Sequence, residues 1–291
     1  MINWPDEVVS SIARRRSVIF LGAGTSMRSV GNNGIRPPSW KDFLEDGISR
    51  CPGSHKEMND LLRRGDYLSC CQIIKYKLEQ DWVPFVESSF LTPAFNHNEL
   101  HELIFSLDSS IILTPNFDKI YDTYATNQHH QNRNLLKIKR FYDEDIPRVL
   151  RGNGTQRLIL KIHGCIDTPD KIVFTREDYA DIRSSYANFY RAIDSLIFTH
   201  TFLFIGCGMN DPDLSLMLEQ YARSFGSAPP HYVALSGRVT EDYKKMLSKN
   251  YNLRVLTYSS NSDHQELLDS IKDLSEKIEA EREKLAQSTL W

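Results

Sequence analysis

Short apolar runs recur along the chain, each ending in small or polar residues and most followed by a stretch with helical spacing. The clearest are Val18–Leu21, Ile111–Leu113, Leu158–Ile162, Phe202–Ile205, Tyr232–Leu235 and Val255–Leu256. Runs this short, alternating with helical patterns, predict strands of a parallel sheet covered by helices. The expected fold is α/β and Rossmann-like, a parallel sheet of about six strands with helices on both faces.

Between the first two runs, over about residues 40–107, the spacing turns helical, as at Met58, Leu61, Leu62 and then Cys71, Ile74, Leu78. This predicts a helical insertion within one domain spanning 1–291. Near the end Leu267, Ile271, Leu274 and Ile278 alternate at spacings of four and three, predicting a C-terminal helix over about 263–287. Its stripe is short for an intermolecular coiled coil, so packing on its own domain is expected. Residues 126–134 and 151–156 are polar and turn-rich and read as surface loops.

Charge changes the picture mainly by exclusion. With 35 Lys+Arg against 38 Asp+Glu the net charge is −3, so no electrostatic case for direct nucleic-acid binding arises. No apolar run approaches the roughly 18 residues of a membrane span, and the first residues lack a basic-then-apolar leader pattern; a cytoplasmic location off the membrane is expected. Five cysteines, at 51, 70, 71, 165 and 207, form no C-x-x-C pair and read as reduced structural thiols. No metal site is expected.

In this fold class ligands collect at the carboxyl ends of the strands. After the first strand comes Gly22-Ala23-Gly24-Thr25-Ser26, where glycines let backbone N–H groups approach a phosphate and a helix start would favour negative charge. Met27 stands where the G-x-G-x-x-G fingerprint places its third glycine, which weakens a dehydrogenase reading. The second strand ends in Thr114-Pro115-Asn116-Phe117-Asp118, another in Lys161-Ile162-His163-Gly164, and a later one in Gly206-Cys207-Gly208-Met209-Asn210-Asp211. Each has a plain structural reading: a tight turn, helix caps at Asn116 and Asp118, a satisfied histidine, an inert thiol. His97 and His101 are four apart, but Asn98 stands where a zinc-protease helix needs glutamate, so they read as parts of an ordinary helix.

The four motifs in this order resemble the sirtuin-like family, over about residues 12–275. Two departures place the resemblance in a bacterial antiviral-defence branch. The paired cysteines of a zinc module are missing after His163-Gly164, where only Cys165 follows, and Arg36-Pro37-Pro38-Ser39-Trp40 replaces the P-D-F-R type segment of the deacetylases. The resemblance implies hydrolysis of NAD+ to nicotinamide and ADP-ribose in anti-phage, abortive-infection defence. It implies that Gly22, Ala23, Gly24, Thr25 and Ser26 hold the pyrophosphate. Gly206, Cys207 and Gly208 would line the adenosine side, with Asp211 assisting there. Asn116 would position the nicotinamide ribose and a water, Asp118 would bond the carboxamide, and His163 would accept a proton. A homo-oligomer and a separate ATPase, Argonaute-like or nucleotide-sensing partner are further implied. An NAD-dependent deacylase or ADP-ribosyltransferase, and a non-catalytic NAD or ADP-ribose sensor, stand as alternatives.

Overall fold

The computed structural model describes residues 1–129, 136–151, 156–209, 211–224 and 227–288. The strands are β1 (Ser17–Leu21), β2 (Ile111–Thr114), β3 (Leu136–Arg140), β4 (Arg157–Lys161), β5 (Thr201–Ile205), β6 (His231–Ser236) and β7 (Leu253–Tyr258). They form one parallel sheet in the order β3-β4-β2-β1-β5-β6-β7. The expected α/β class holds, with seven strands instead of about six. The strand missed in sequence is β3, an edge strand whose five residues Leu-Lys-Ile-Lys-Arg are all half-buried, so no continuous apolar run marks it.

The helices in chain order are α1 (Asp6–Ala13), α2 (Trp40–Arg50), α3 (Lys56–Arg64), α4 (Tyr67–Leu78), α5 (Trp82–Phe90), α6 (Glu99–Ser106) and α7 (Ile120–Gln128). There follow α8 (Ile146–Leu150), α9 (Arg176–Ser185), α10 (Ala187–Thr199), α11 (Pro212–Ser224), α12 (Glu241–Tyr251) and α13 (Asn261–Ser288). Residues 126–128, read as loop, are the last turn of α7. The loops expected at 130–134 and 152–155, and Asn210, lie outside the described residues.

Alternation along β1 divides the core. Ile19 and Leu21 join the cluster under α1, α6, α7 and α13, while Val18 and Phe20 join the one under α9, α10, α11 and α12. Side chains of a strand alternate between faces, so helices on both sides bury all five residues. A third cluster belongs to α2–α5 and is centred on Phe43, stacked 4.7 Å from Phe85 and 5.5 Å from Phe174. The Ser39 hydroxyl accepts the Asp42 N–H while the Asp42 carboxylate accepts the Ser39 N–H, a reciprocal cap that starts α2 where the chain leaves the Pro37-Pro38 step. The stripe of α13, with Leu267, Ile271, Leu274, Ile278 and Leu285 buried, packs on α1 and α6 within this chain. Among the described residues no helix is long and apolar enough to cross a membrane.

From β1 the chain steps to β2 on one side and, after β4, crosses back to β5 on the other. The topological switch therefore lies between β1 and β5, where an open α/β sheet leaves a crevice beyond the carboxyl ends of its strands.

Candidate active site

The glycine motif sits at that switch point. Gly22 N–H donates to Ile205 O and Gly24 N–H to Gly206 O, both at 2.9 Å, so the loop after β1 runs against the loop after β5. A Cβ on Gly22 would lie 2.4 Å from Gly206 O, and one on Gly24 2.9 Å from the same atom. Close approach of two backbones is what demands glycine here. Thr25 N–H and Ser26 N–H then return to Gly22 O and Ala23 O, closing a three-residue 3-10 turn, Ala23–Thr25. In this structure Gly22, Gly24, Thr25 and Ser26 direct their N–H groups to backbone carbonyls, and the first α-helix after the loop begins at Trp40.

The end of β2 is tied to this loop. Asn116 donates from Nδ2 to Gly22 O at 3.1 Å, and its own N–H goes to Thr114 Oγ1, which donates onward to Leu21 O. With Nδ2 pinned, Oδ1 is the acceptor left for a ligand. Asp118 accepts from Ser26 Oγ at 3.0 Å through one carboxylate oxygen and caps α7 through the other, from the Ile120 N–H at 2.9 Å. Asp118 thus performs its structural cap while joining two of the four motifs. Beneath it lies Lys161, fully buried on β4, whose Nζ donates to Asp118 O and to Asp122 Oδ2 at 2.7 Å. Burial alone would lower its pKa, but the carboxylate of Asp122 outweighs that and holds the ammonium above the usual lysine value.

His163 follows two residues later, 8% exposed, with Gly164 in the left-handed region at φ +84°. Its Nε2 lies 3.2 Å from Asp211 Oδ2, and that oxygen also accepts from the Tyr179 hydroxyl at 2.7 Å. The other Asp211 oxygen caps α11 at the Leu214 N–H. Tyr179, on α9, sets its ring edge-on to the imidazole, centroids 5.2 Å apart. Burial, then the neighbouring Asp211, pushes its phenol well above the usual range, so it stays a donor. Asp211, expected to assist on the adenosine side, stands beside His163. The Asp211 carboxylate and the Tyr179 ring thus bound the imidazole on two sides. Sequence reasoning missed Tyr179 and the Lys161–Asp122 pair, since neither has a local pattern to betray it.

On the other side of β1 a cleft of about 870 Å³ opens beyond β5, β6 and β7. Gly24, Gly206, Cys207 and Gly208 line its inner end, and Arg28, Arg238 and Tyr258 are among its walls. Asn116, Asp118 and His163 are not on its wall; His163 borders a separate cavity of only about 20 Å³ with Phe189 and Ile193. Cys207 keeps its Sγ 3.5 Å from Ile205 O, and burial pushes the thiol well up, so it packs as an inert group.

Fold and site together define a Rossmann-like α/β protein whose polar strand ends meet at the switch point. The chain belongs to the SIR2-like family: residues 110–256, about half of it, match the SIR2-like domain. That span holds Asn116, Asp118, His163 and Gly206–Asp211, while the glycine loop lies before it. Over 247 residues the chain is 26% identical to the NAD(+) hydrolase ThsA of Enterococcus faecium, covering 83% of this chain and 46% of that protein. It is 23% identical over 255 residues to the protein of the same name from Acinetobacter baumannii, covering 85% and 48%. The defense-associated sirtuin 2 of Bacillus subtilis is 24% identical over 268 residues, covering 89% and 25%. The chain thus spans about half the length of the two hydrolases and a quarter of the sirtuin.

Proposed function

We propose that this chain is an NAD+ glycohydrolase, cleaving NAD+ to nicotinamide and ADP-ribose as the toxic effector of an anti-phage, abortive-infection system. The observation that supports the reading is that Asn116 and Asp118, after β2, are hydrogen-bonded to the glycine loop of β1, while His163 follows the adjacent strand β4. The names of the relatives supply the substrate. NAD+ lies across the switch point, its pyrophosphate over the β1–β5 seam and its nicotinamide toward β2 and β4.

The C1′–N bond breaks and its electron pair leaves with nicotinamide, so positive charge develops on the ribose. Water attacks C1′ and its proton is lost: NAD+ and water give nicotinamide, ADP-ribose and a proton. Asn116 orients the ribose and the water through Oδ1, and His163 accepts the proton, with Asp211 and Tyr179 beside its ring. Asp118 keeps the carboxamide end in register. Most of the gain comes from groups already fixed by hydrogen bonds before substrate arrives. Residues 1–291 act as one catalytic domain with the helical insertion at 40–107. Assembly into a cytoplasmic homo-oligomer with a separate defence partner completes the reading.

The test is NAD+ consumption with product identification. Nicotinamide and ADP-ribose should appear in equal amounts, and Asn116→Ala and His163→Ala should each lose roughly 10²- to 10⁴-fold in kcat. A chain that binds NAD+ and releases no nicotinamide, alone or assembled with its partner, would be a sensor instead.

A further inference from the structure

Two tyrosine–aspartate pairs pack on one face of the sheet, and they differ in what balances the carboxylate. Tyr179 on α9 donates to Asp211 Oδ2 at 2.7 Å, and Tyr190 on α10 donates to Asp213 Oδ2. Burial, before any other cause, holds both phenols above their usual range, so both remain donors. Asp213 is ion-paired with Arg183, a permanent cation. Asp211 has no lysine or arginine partner among the described residues. The one basic group within ion-pair distance of it is His163, whose Nε2 stands 3.2 Å from Oδ2.

The Asp211 side chain is only 15% exposed, so water screens its charge poorly. A neutral imidazole leaves that charge unbalanced, whereas an imidazolium balances it. The surroundings of His163 are therefore matched to the ring after it has taken a proton, the state that the proposed hydrolysis creates.

Tyr179 fixes where the carboxylate stands. Its hydroxyl bonds the same oxygen that faces the imidazole, while the Leu214 N–H holds the other oxygen at 2.8 Å. The chain just before Tyr179 is anchored to the helical insertion. Arg176 donates to Ser69 Oγ and to Asp66 Oδ1, and Lys75 Nζ donates to Asp178 Oδ1, each at 2.8 Å. Asp178 Oδ2 accepts the Phe174 and Thr175 N–H groups, which sets the start of α9. Tyr179 thus reaches Asp211 from a helix end that is itself held in place.

We infer that Tyr179 is a positioning residue for the reaction: it holds the Asp211 carboxylate against His163, so that the charge formed when the imidazole accepts a proton is met without rearrangement. The inference rests on the proposed glycohydrolase reading. It leaves Tyr190 and Asp213, the pair balanced by Arg183, to the fold alone. Tyr190 and His163 border the same cavity of about 20 Å³, so this second pair is a close control.

The test is nicotinamide release from NAD+ by the full chain, alone or with its partner, in Tyr179→Phe, Tyr190→Phe, Asp211→Asn and the double variant Tyr179→Phe/Asp211→Asn. Each phenylalanine removes one hydroxyl and keeps the ring, and cooperative thermal unfolding checks that each variant is folded. Tyr179→Phe should lower kcat about tenfold with KM within about twofold, whereas Tyr190→Phe should leave kcat within about twofold. In the Asp211→Asn background the further loss from Tyr179→Phe should shrink to less than about twofold, because the hydroxyl then has no charge to place. Wild-type kcat in Tyr179→Phe, an equal loss in Tyr190→Phe, or a tenfold loss that persists in the Asp211→Asn background overturns the inference and leaves the proposed function standing. A wild type that never releases nicotinamide overturns the proposed function and this inference with it.

Discussion

The two flanks of β1 are built on opposite principles. Toward β2 and β4 three of the candidate side chains are already hydrogen-bonded: Asn116 to Gly22, Asp118 to Ser26 and Ile120, Asp211 to Tyr179 and Leu214. The free space beside His163 is about 20 Å³. Toward β6 and β7 lies an open cleft of about 870 Å³ in which Arg28 Nη1 and His264 Nδ1 are buried without a hydrogen-bond partner. A flank that reacts gains from rigidity and exclusion of water, whereas a flank that recognises needs donors held in reserve. Under the proposed function, chemistry and affinity fall on different strands of one sheet.

The largest expected effect strikes the reactive flank. Asp211→Asn keeps the cap on α11 and the shape of the pocket but removes the carboxylate charge beside His163. Turnover kinetics should record a loss in kcat of roughly 10²- to 10⁴-fold with KM little changed. A large rise in KM with kcat preserved would instead return Asp211 to the binding side, as the sequence suggested.

Next comes the support beneath that flank. Lys161→Met leaves Asp122 buried without its cation and should destabilise the fold by about 3–5 kcal/mol in a denaturant titration. The double variant Lys161→Met/Asp122→Leu removes both charges and should recover most of that loss. Failure of the double variant to recover would mean that the pair contributes more than mutual neutralisation.

The seam between the flanks is sensitive to a single methyl. Gly206 has φ +69°, and a Cβ there would sit 2.7 Å from Thr25 N. Gly206→Ala should cost about 3 kcal/mol and weaken ADP-ribose binding together with turnover, because both flanks share this contact. Loss of one activity alone would separate them.

The smallest effect is one of pH. Burial holds His101 and His231 down to about 4, below the ordinary 6.5. As pH falls the unfolded chain takes up these protons first, so the stability from each histidine is complete above about 6.5 and is lost toward 4. At pH 5.5 the loss is about 1.4 kcal/mol per histidine, readable as a falling melting temperature. His101 bears on the comparison directly. Its Nδ1 accepts the Asn98 N–H, and Asn98 in turn donates to Thr25 O and Ser29 Oγ behind the glycine loop. His231→Phe should remove part of the pH dependence without altering ligand binding, while acidification should loosen the glycine loop through His101.

Much of this was legible in the chain where burial is complete. The runs behind β1, β2, β4, β5 and β6 are continuous and apolar because helices cover both faces, and their polar ends pointed to the crevice. β3 escaped because an edge strand alternates and is only half covered, and only Val255–Leu256 of β7 was visible because Arg254 and Thr257 face solvent. In the site, the order of the motifs is legible in the chain but not which side chains meet, and the pairing of Asp211 with His163 was therefore not foreseen. The glycines were read for phosphate approach; that they also pack loop against loop, Gly22 and Gly24 on Gly206, has no signal in the sequence. Tyr179 and Asp122 reach their partners from other elements, across 32 and 39 residues of chain. No local pattern encodes such a meeting.

Nicotinamide release bears most directly on the central assignment. Purified chain, alone and with a defence-system partner, should convert NAD+ to nicotinamide and ADP-ribose, and Asn116→Ala and His163→Ala should abolish release while ADP-ribose still binds. Release undiminished in both variants, or NAD+ bound and never cleaved under either condition, would contradict it.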